Sequence, residues 1–251
     1  MQSKLSLYGK ARLGVVFILI HILIISCRDI SLVNPTVMAP VDLSGKELID
    51  QNISNYDLSG KNLQDVNLSY SKLINADFTR ANLQGANLQW AIVEGANFTQ
   101  ANLQGAELTG VCGLETATWT NTLLDEKWRI VVALFKNGEL ITKDLQNYDL
   151  SGVCFYYADT TEVDFSNANL ENAIFHVSVS GSIFQNANLR FVNFAGQDLQ
   201  GADFTGADVY QVEFAGANLT GAQITPEQLQ SAWLSCTTYL PDGKLYVGDG
   251  C

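Results

Sequence analysis

From Val41 to Gly110 the sequence divides without a gap into fourteen five-residue units, among them VDLSG, YDLSG, ADFTR, ANLQG and AELTG, and the central residue of all fourteen is apolar. The centres run Leu43, Leu48, Ile53, Leu58, Leu63, Leu68, Leu73, Phe78, Leu83, Leu88, Val93, Phe98, Leu103 and Leu108. Neither a helix, with its period of 3.6, nor a strand, with its period of 2, returns a side chain to one side every five residues. The backbone must therefore turn the same way within each unit. Stacked coils with every centre pointing into one core are the structure this requires. Two places before the centres sit Ala76, Ala81, Ala86, Ala91, Ala96, Ala101 and Ala106, small enough to let neighbouring walls close on that core. The Asn, Asp, polar and Gly positions between face water and supply the turns.

A second run starts at Lys143 with KDLQN, YDLSG, VCFYY, ADTTE, VDFSN, ANLEN and a four-residue AIFH, followed by ten intact units from Val177 to Pro226. The residue missing at His176 predicts a distorted corner there. Sixteen of the seventeen centres are apolar, Thr160 being the exception. Beyond Phe165 they alternate, with Phe165, Phe175, Phe184, Phe194, Phe204 and Phe214 interleaved with Leu or Val.

The A(D/N)LxG repetition resembles the pentapeptide-repeat family, and the match covers most of the chain. The resemblance implies an all-β solenoid, a right-handed quadrilateral β-helix in two arrays with four units per square coil. Alternate units then lie on opposite walls. The Phe side chains should stack as two ladders, Phe165 with Phe184 and Phe204, and Phe175 with Phe194 and Phe214, with Leu and Val on the other two walls. Stacked coils bury one continuous core and need caps at their open ends.

The organisation expected is a signal peptide or membrane anchor at 1–27, a linker at 28–40, a first array at 41–112, a helical connector or cap at 113–142, a second array at 143–226 and a C-terminal helix and hairpin cap at 227–251. In the connector, Thr122 and Asp125 read as a helix start, with Asp125 at the third helical position. Leu124, Trp128, Val131, Leu134 and Phe135 form a stripe at helical spacing that ends before Gly138. Thr225 followed by Pro226 opens a short C-terminal helix running to Trp233 and closing the second array. Lys46, Gln51 and Lys61 occupy positions that are small and inward in the family. Either the opening coil is an exposed cap, or the regular coil begins near Val66.

Lys4, Lys10 and Arg12 precede the apolar run Leu13–Ile25, the order of a targeting segment. Thirteen apolar residues fall short of the roughly 20 that cross a bilayer. Ile24, Ile25, Ser26 and Cys27 resemble a lipoprotein lipobox, which implies lipidation at Cys27. An uncleaved signal-anchor is the alternative. Both place the chain in the cell envelope, attached to membrane through its N-terminal segment. Without Cys27 four cysteines remain, an even number that suits an oxidising compartment. Cys236 is expected to pair with Cys251 across a turn at Pro241, Asp242 and Gly243, leaving Cys112 for Cys154.

From Arg28 onward 11 basic residues face 26 acidic ones, a difference of −15. Such a body repels nucleic-acid phosphates, so no nucleic-acid partner is expected. His21 lies in the targeting segment and His176 at the shortened corner, which leaves no pair of histidines for catalysis or for a His-rich metal site. Asp144, Asp164 and Asp203 should share a wall and could hold a loose cation. No phosphate loop, GxSxG elbow or CxxC pair occurs. The chain therefore reads as a non-enzymatic scaffold without cofactor or resident metal, presenting an acidic surface to an unidentified protein partner. Its contact candidates are Tyr56, Tyr70, Trp90, Tyr156, Tyr157, Phe191 and Tyr210. The alternative is an acidic DNA mimic binding type II topoisomerase in the cytoplasm, a role the resemblance supplies and the targeting segment opposes. An enzyme would need a pocket near Cys112, Trp119, Trp128 and Cys154.

Overall fold

The computed structural model describes residues 42–248. The expectations for residues 1–27, for the linker at 28–40 and for Cys251 lie outside them. In the described residues the second position of most units pairs in parallel with the residue 20 places on, as Asp42 does with Asn62, Asp77 with Asn97 and Asp203 with Gln223. A 20-residue step is four units, so each coil has four walls.

The backbone polar groups are satisfied between coils. The N–H of a central residue donates to the second-position carbonyl one coil on, as from Leu43 to Asn62 at 2.8 Å, and the fifth-position N–H donates onward as well, as from Gly45 to Gln64 at 2.8 Å. Asn and Asp dominate the second position because their side-chain oxygen accepts the N–H two residues on, as from Thr79 to Asp77 Oδ1 at 2.9 Å and from Thr99 to Asn97 Oδ1 at 3.0 Å. Their amides also link coils: Asn62 Nδ2 donates to Asp42 Oδ1 at 3.0 Å and Asn82 Nδ2 to Asn62 Oδ1 at 3.2 Å.

The centres and the alanines before them form the core. Both expected Phe ladders are present: Phe165, Phe184 and Phe204 stack at centroid separations of 5.2 and 5.2 Å, and Phe175, Phe194 and Phe214 at 4.9 and 5.8 Å. Phe155 extends the second ladder, 4.7 Å from Phe175. The rings of the two ladders meet edge to face, as Phe184 and Phe194 do at 5.6 Å. Thr160, the polar centre, is buried and donates through Oγ1 to the Ser178 carbonyl at 2.9 Å. The missing residue at His176 shortens the step locally to 19, with Asp164 bridging to Ile183 and Ile174 to Asn193.

Several boundaries differ from the sequence reading. Coil pairing runs past residue 112, from Asn97 to Thr118 and from Asn102 to Leu123, because one extra residue is absorbed and Trp119 takes the place of a centre. Trp119 stacks on Phe98 at 4.6 Å and Phe98 on Phe78 at 4.9 Å, a third aromatic ladder. The helix α1 spans Glu126–Ala133, with Asp125 as N-cap and not at its third position. Thr122 is held in the coil, where its Oγ1 donates to the Phe98 carbonyl at 2.7 Å, and the Asp125 carboxylate accepts from Gly105 N–H at 3.1 Å. The stripe does bury Trp128, Val131 and Leu134. Phe135 lies beyond the helix, in β1 (Phe135–Lys136), which pairs antiparallel with β2 (Glu139–Leu140). Asn137 and Gly138, at φ of 55° and 85°, make the two-residue turn that stopped the helix early. The strands β3 (Cys154–Phe155) and β4 (Ile174–Phe175) pair in parallel within the second run of coils.

At the far end α2 (Pro226–Gln230) is shorter than expected. Thr225 and Gln228 form the reciprocal cap, with Gln228 N–H donating to Thr225 Oγ1 at 3.2 Å and Thr225 N–H to Gln228 Oε1 at 2.9 Å. Pairing continues beyond this helix, from Glu213 to Trp233 and from Asn218 to Tyr239, so coil positions extend past residue 226. The turn at Pro241–Gly243 brings Tyr239 and Leu245 into antiparallel pairing. Among the described residues coil pairing is already present at Asp42, ahead of Val66; Lys46 is exposed, and Gln51 donates through Nε2 to the Ile49 carbonyl at 2.8 Å. In this opening coil Lys46 is thus exposed, whereas Gln51 and the centres Leu48, Ile53 and Leu58 are buried.

Candidate functional site

Two features of the described residues set themselves apart from the repeating walls: a corner rich in aromatic side chains, and the joint between the two runs of coils. The corner follows the second wall. Its backbone ladder is unbroken from coil to coil: Asp50 N–H donates to Ser69, Tyr70 to Gln89, Trp90 to Thr109, Gly110 to Gly152, Gly152 to Glu171, Asn172 to Arg190 and Phe191 to Tyr210, over 2.7 to 3.1 Å. Gly110 to Gly152 is the rung that carries it across the joint. Tyr70, Trp90, Phe191 and Tyr210 are exposed on this one corner.

Tyr70, Trp90 and Phe191 have φ of 60°, 61° and 61°. A bulky residue there costs about 1–2 kcal/mol relative to glycine, so folding alone does not favour these side chains. Gly110 is the exception that makes room, since a β-carbon on it would run into the Trp90 ring. Arg190 stands 4.5 Å from the Tyr210 ring centroid and 3.1 Å from the Asp208 carboxylate. Within the fourth and fifth positions that form this corner, the charged side chains are Asp50, Glu171 and Arg190. The corner is close to neutral on a strongly acidic body. Of the other contact candidates, Tyr156 and Tyr157 are exposed at the joint and Tyr56 is half-buried.

At the joint a disulfide connects Cys112 and Cys154, 42 residues apart, as the sequence expected. Cys236 is held in a disulfide as well. Glu115 is buried, and its Oε1 accepts from the N–H groups of Tyr156 at 3.1 Å and Tyr157 at 2.7 Å, whereas its Oε2 has no hydrogen-bond partner. Burial, aided by the nearby Glu94 carboxylate, pushes the Glu115 carboxyl above its ordinary range. Lys127, from α1, donates to the Ser151 carbonyl at 2.7 Å and pairs with Asp149 at 3.5 Å. Gly113 lets this corner close: its φ is 89°, and a β-carbon there would lie 2.7 Å from the Glu94 nitrogen.

The raised Glu115 pKa has a definite sign. Its stabilising share is complete at low pH, where the carboxyl is protonated folded and unfolded, and is lost as pH rises through the folded value. Glu115→Gln removes that loss. The melting temperature of the variant relative to the parent should therefore climb as pH rises above the ordinary carboxylate range, and equal pH profiles for the two proteins would contradict the burial argument.

His176 was expected to be a surface residue at the shortened corner. It is exposed as expected; its ring meets Tyr156 edge-on at 5.0 Å, and Cys112, Cys154 and His176 bring their ligating atoms within 4.8 Å of one another. The sequence held one signal for this, the second-position placement of both cysteines in their units. The aspartates do not converge in the same way. Asp144 pairs with Asp164, but Ile183 intervenes before Asp203, whose carboxylate accepts from Gln185 Nε2 at 2.7 Å.

A family model described as pentapeptide repeats matches eight copies over residues 52–85, 62–100, 81–112, 149–176 and 180–225, together more than half of the sequence. No curated protein matches. Similar solved structures include HetL, a pentapeptide repeat protein involved in heterocyst differentiation regulation from the cyanobacterium Nostoc sp. strain PCC 7120. It is 24% identical, covers 82% of this chain and 92% of its own, and has a TM-score of 0.25. Full-length QnrB1, a plasmid-mediated fluoroquinolone resistance protein, is 17% identical over 79% of this chain and 83% of its own, with a TM-score of 0.22. A pentapeptide repeat protein from the Arabidopsis thaliana thylakoid lumen is 22% identical over 71% of this chain and 72% of its own, with a TM-score of 0.14.

Proposed function

Since the chain belongs to the pentapeptide-repeat family, we propose that it is a non-enzymatic scaffold, exported or membrane-tethered through residues 1–27, that docks a protein partner on its aromatic corner. Its two arrays form one right-handed quadrilateral β-helix, interrupted by α1 and its hairpin and capped by the C-terminal segment. The observation that carries the docking is the alignment of Tyr70, Trp90, Phe191 and Tyr210 on one hydrogen-bonded corner, three of them at backbone positions that disfavour bulky side chains. Aromatic residues and Arg are enriched in the cores of protein interfaces and charge is depleted there, which is the composition of this corner. Disulfide bonding at Cys112, Cys154 and Cys236 supports export to an oxidising compartment.

The test combines fractionation with cross-linking of the full chain in a bacterial host. A photo-reactive side chain replaces Trp90 or, as a wall control, Asn82. The expected result is an adduct to a protein from position 90 in the envelope fraction, lost from that fraction in Cys27→Ser if the anchor is a lipid. Adducts at both positions alike would remove the corner's special role. A soluble chain cross-linked to a topoisomerase subunit would replace this reading with the DNA-mimic one.

A further inference from the structure

The joint places two cysteines and the one histidine of the described residues together on successive coils of the third wall. Ile92 pairs with Cys112, Cys154 with Ile174, and His176 N–H donates to the Phe155 carbonyl at 3.0 Å. All three ligating atoms lie within 4.8 Å of one another. A tetrahedral zinc site, with metal–sulfur bonds of about 2.3 Å and metal–nitrogen bonds of about 2.0 Å, needs its ligand atoms about 3.5 to 3.8 Å apart. Reaching that spacing requires the sulfur–sulfur bond to be broken and the side chains to rotate so that the sulfurs move apart and the imidazole nitrogen moves in. Cys154 is buried, Cys112 half-buried and His176 exposed, so the site opens to solvent on the histidine side.

The geometry points to a second state of this joint, in which the reduced Cys112 and Cys154 thiolates and His176 bind a thiophilic divalent cation such as zinc, leaving a fourth position open to water. A dithiol delivers two electrons and two protons to the sulfur–sulfur bond and is itself oxidised to a disulfide. The cation then displaces both thiol protons to solvent and accepts the imidazole lone pair. Disulfide and metal site exclude each other, because each uses the same two sulfurs. The joint is cross-linked in either state, covalently where disulfides persist and through the metal where thiols stay reduced. The edge contact with Tyr156 holds the imidazole ring at the site.

Cobalt(II) titration of the full chain tests this, after reduction by a phosphine and removal of the reductant under anaerobic conditions. The reduced protein should take up one equivalent with thiolate-to-cobalt charge-transfer absorption and the visible bands of tetrahedral cobalt, and zinc should bleach both. The oxidised protein should show neither. Cys112→Ser should abolish the charge-transfer band. An unchanged band in that variant would trace the binding to the other cysteines and overturn the assignment. His176→Ala, a change at an exposed residue, should keep the charge-transfer band but weaken binding by at least about tenfold, since loss of a direct ligand costs no less than loss of the outer-shell partner of one. Equal affinity in His176→Ala, or uptake without charge transfer, would likewise overturn it.

Discussion

Phe194→Ala should destabilise the folded chain by about 3 to 5 kcal/mol, read as a shift of the denaturation midpoint at constant slope. Phe194 is fully buried between Phe175 and Phe214, at 4.9 and 5.8 Å, and meets Phe184 and Phe204 edge-on at 5.6 and 6.3 Å. Truncation forfeits the transfer energy of the ring, leaves a cavity that closed coils cannot collapse around, and breaks two stacked and two edge contacts at once. The neighbouring Phe191→Ala is the control. Its ring is exposed, and the change should stay within about 0.5 kcal/mol. A loss below about 1 kcal/mol in Phe194→Ala would mean that the ladder does not couple the coils, since a buried Phe has no smaller cost in a packed core.

Those ladders were legible in the sequence because they follow from the period together with the four units per coil that the family resemblance implies. Once four units make a coil, every second Phe lands on one of two opposite walls, whatever the connecting corners do. The ladder through Phe78, Phe98 and Trp119 was not legible, although two of its rings are regular centres. The one extra residue between Cys112 and Thr118 moves Trp119 out of frame, and a strict five-residue count reads the frame shift as the end of the array. The connector failed differently. Its apolar residues keep helical spacing through Phe135, but the left-handed pair Asn137–Gly138 favours a tight hairpin, and the hairpin takes Phe135 out of the helix. The cluster at the joint was hidden for a third reason. Cys112 and Cys154 both stand second in their units, yet they are 42 residues apart, which is no multiple of the 20-residue coil. The wall each occupies depends on how many coil positions the helix and hairpin skip, and only the folded connector sets that number. Cys154 and His176 stand in units four apart and so share a wall, but without the folded connector nothing placed Cys112 on that wall with them.

The joint is also where the second large effect is expected. Closing a loop of 42 residues restricts the unfolded chain by about 4 kcal/mol in the chain-entropy account, and measured disulfides commonly give about 2 to 4. The double variant Cys112→Ser, Cys154→Ser, studied with a chelator present, should lose stability in that range. In stacked coils stability is close to a sum over neighbouring contacts, so the loss should not spread evenly. Across the joint the described contacts that remain include the Gly110 to Gly152 rung, the Lys127 bonds to Ser151 and the Glu115 bonds to Tyr156 and Tyr157. Glu115 is the weak member, for its buried Oε2 has no partner and its charged form is disfavoured. Amide hydrogen exchange should therefore accelerate first in the coil at 111–125 and in α1. The coils holding Phe184, Phe194 and Phe204, locked by stacked rings on two walls, should keep their protection. Uniform acceleration along the chain would mean that the two arrays unfold as one cooperative unit with or without the disulfide, and that the joint is as strong as the coils on either side of it.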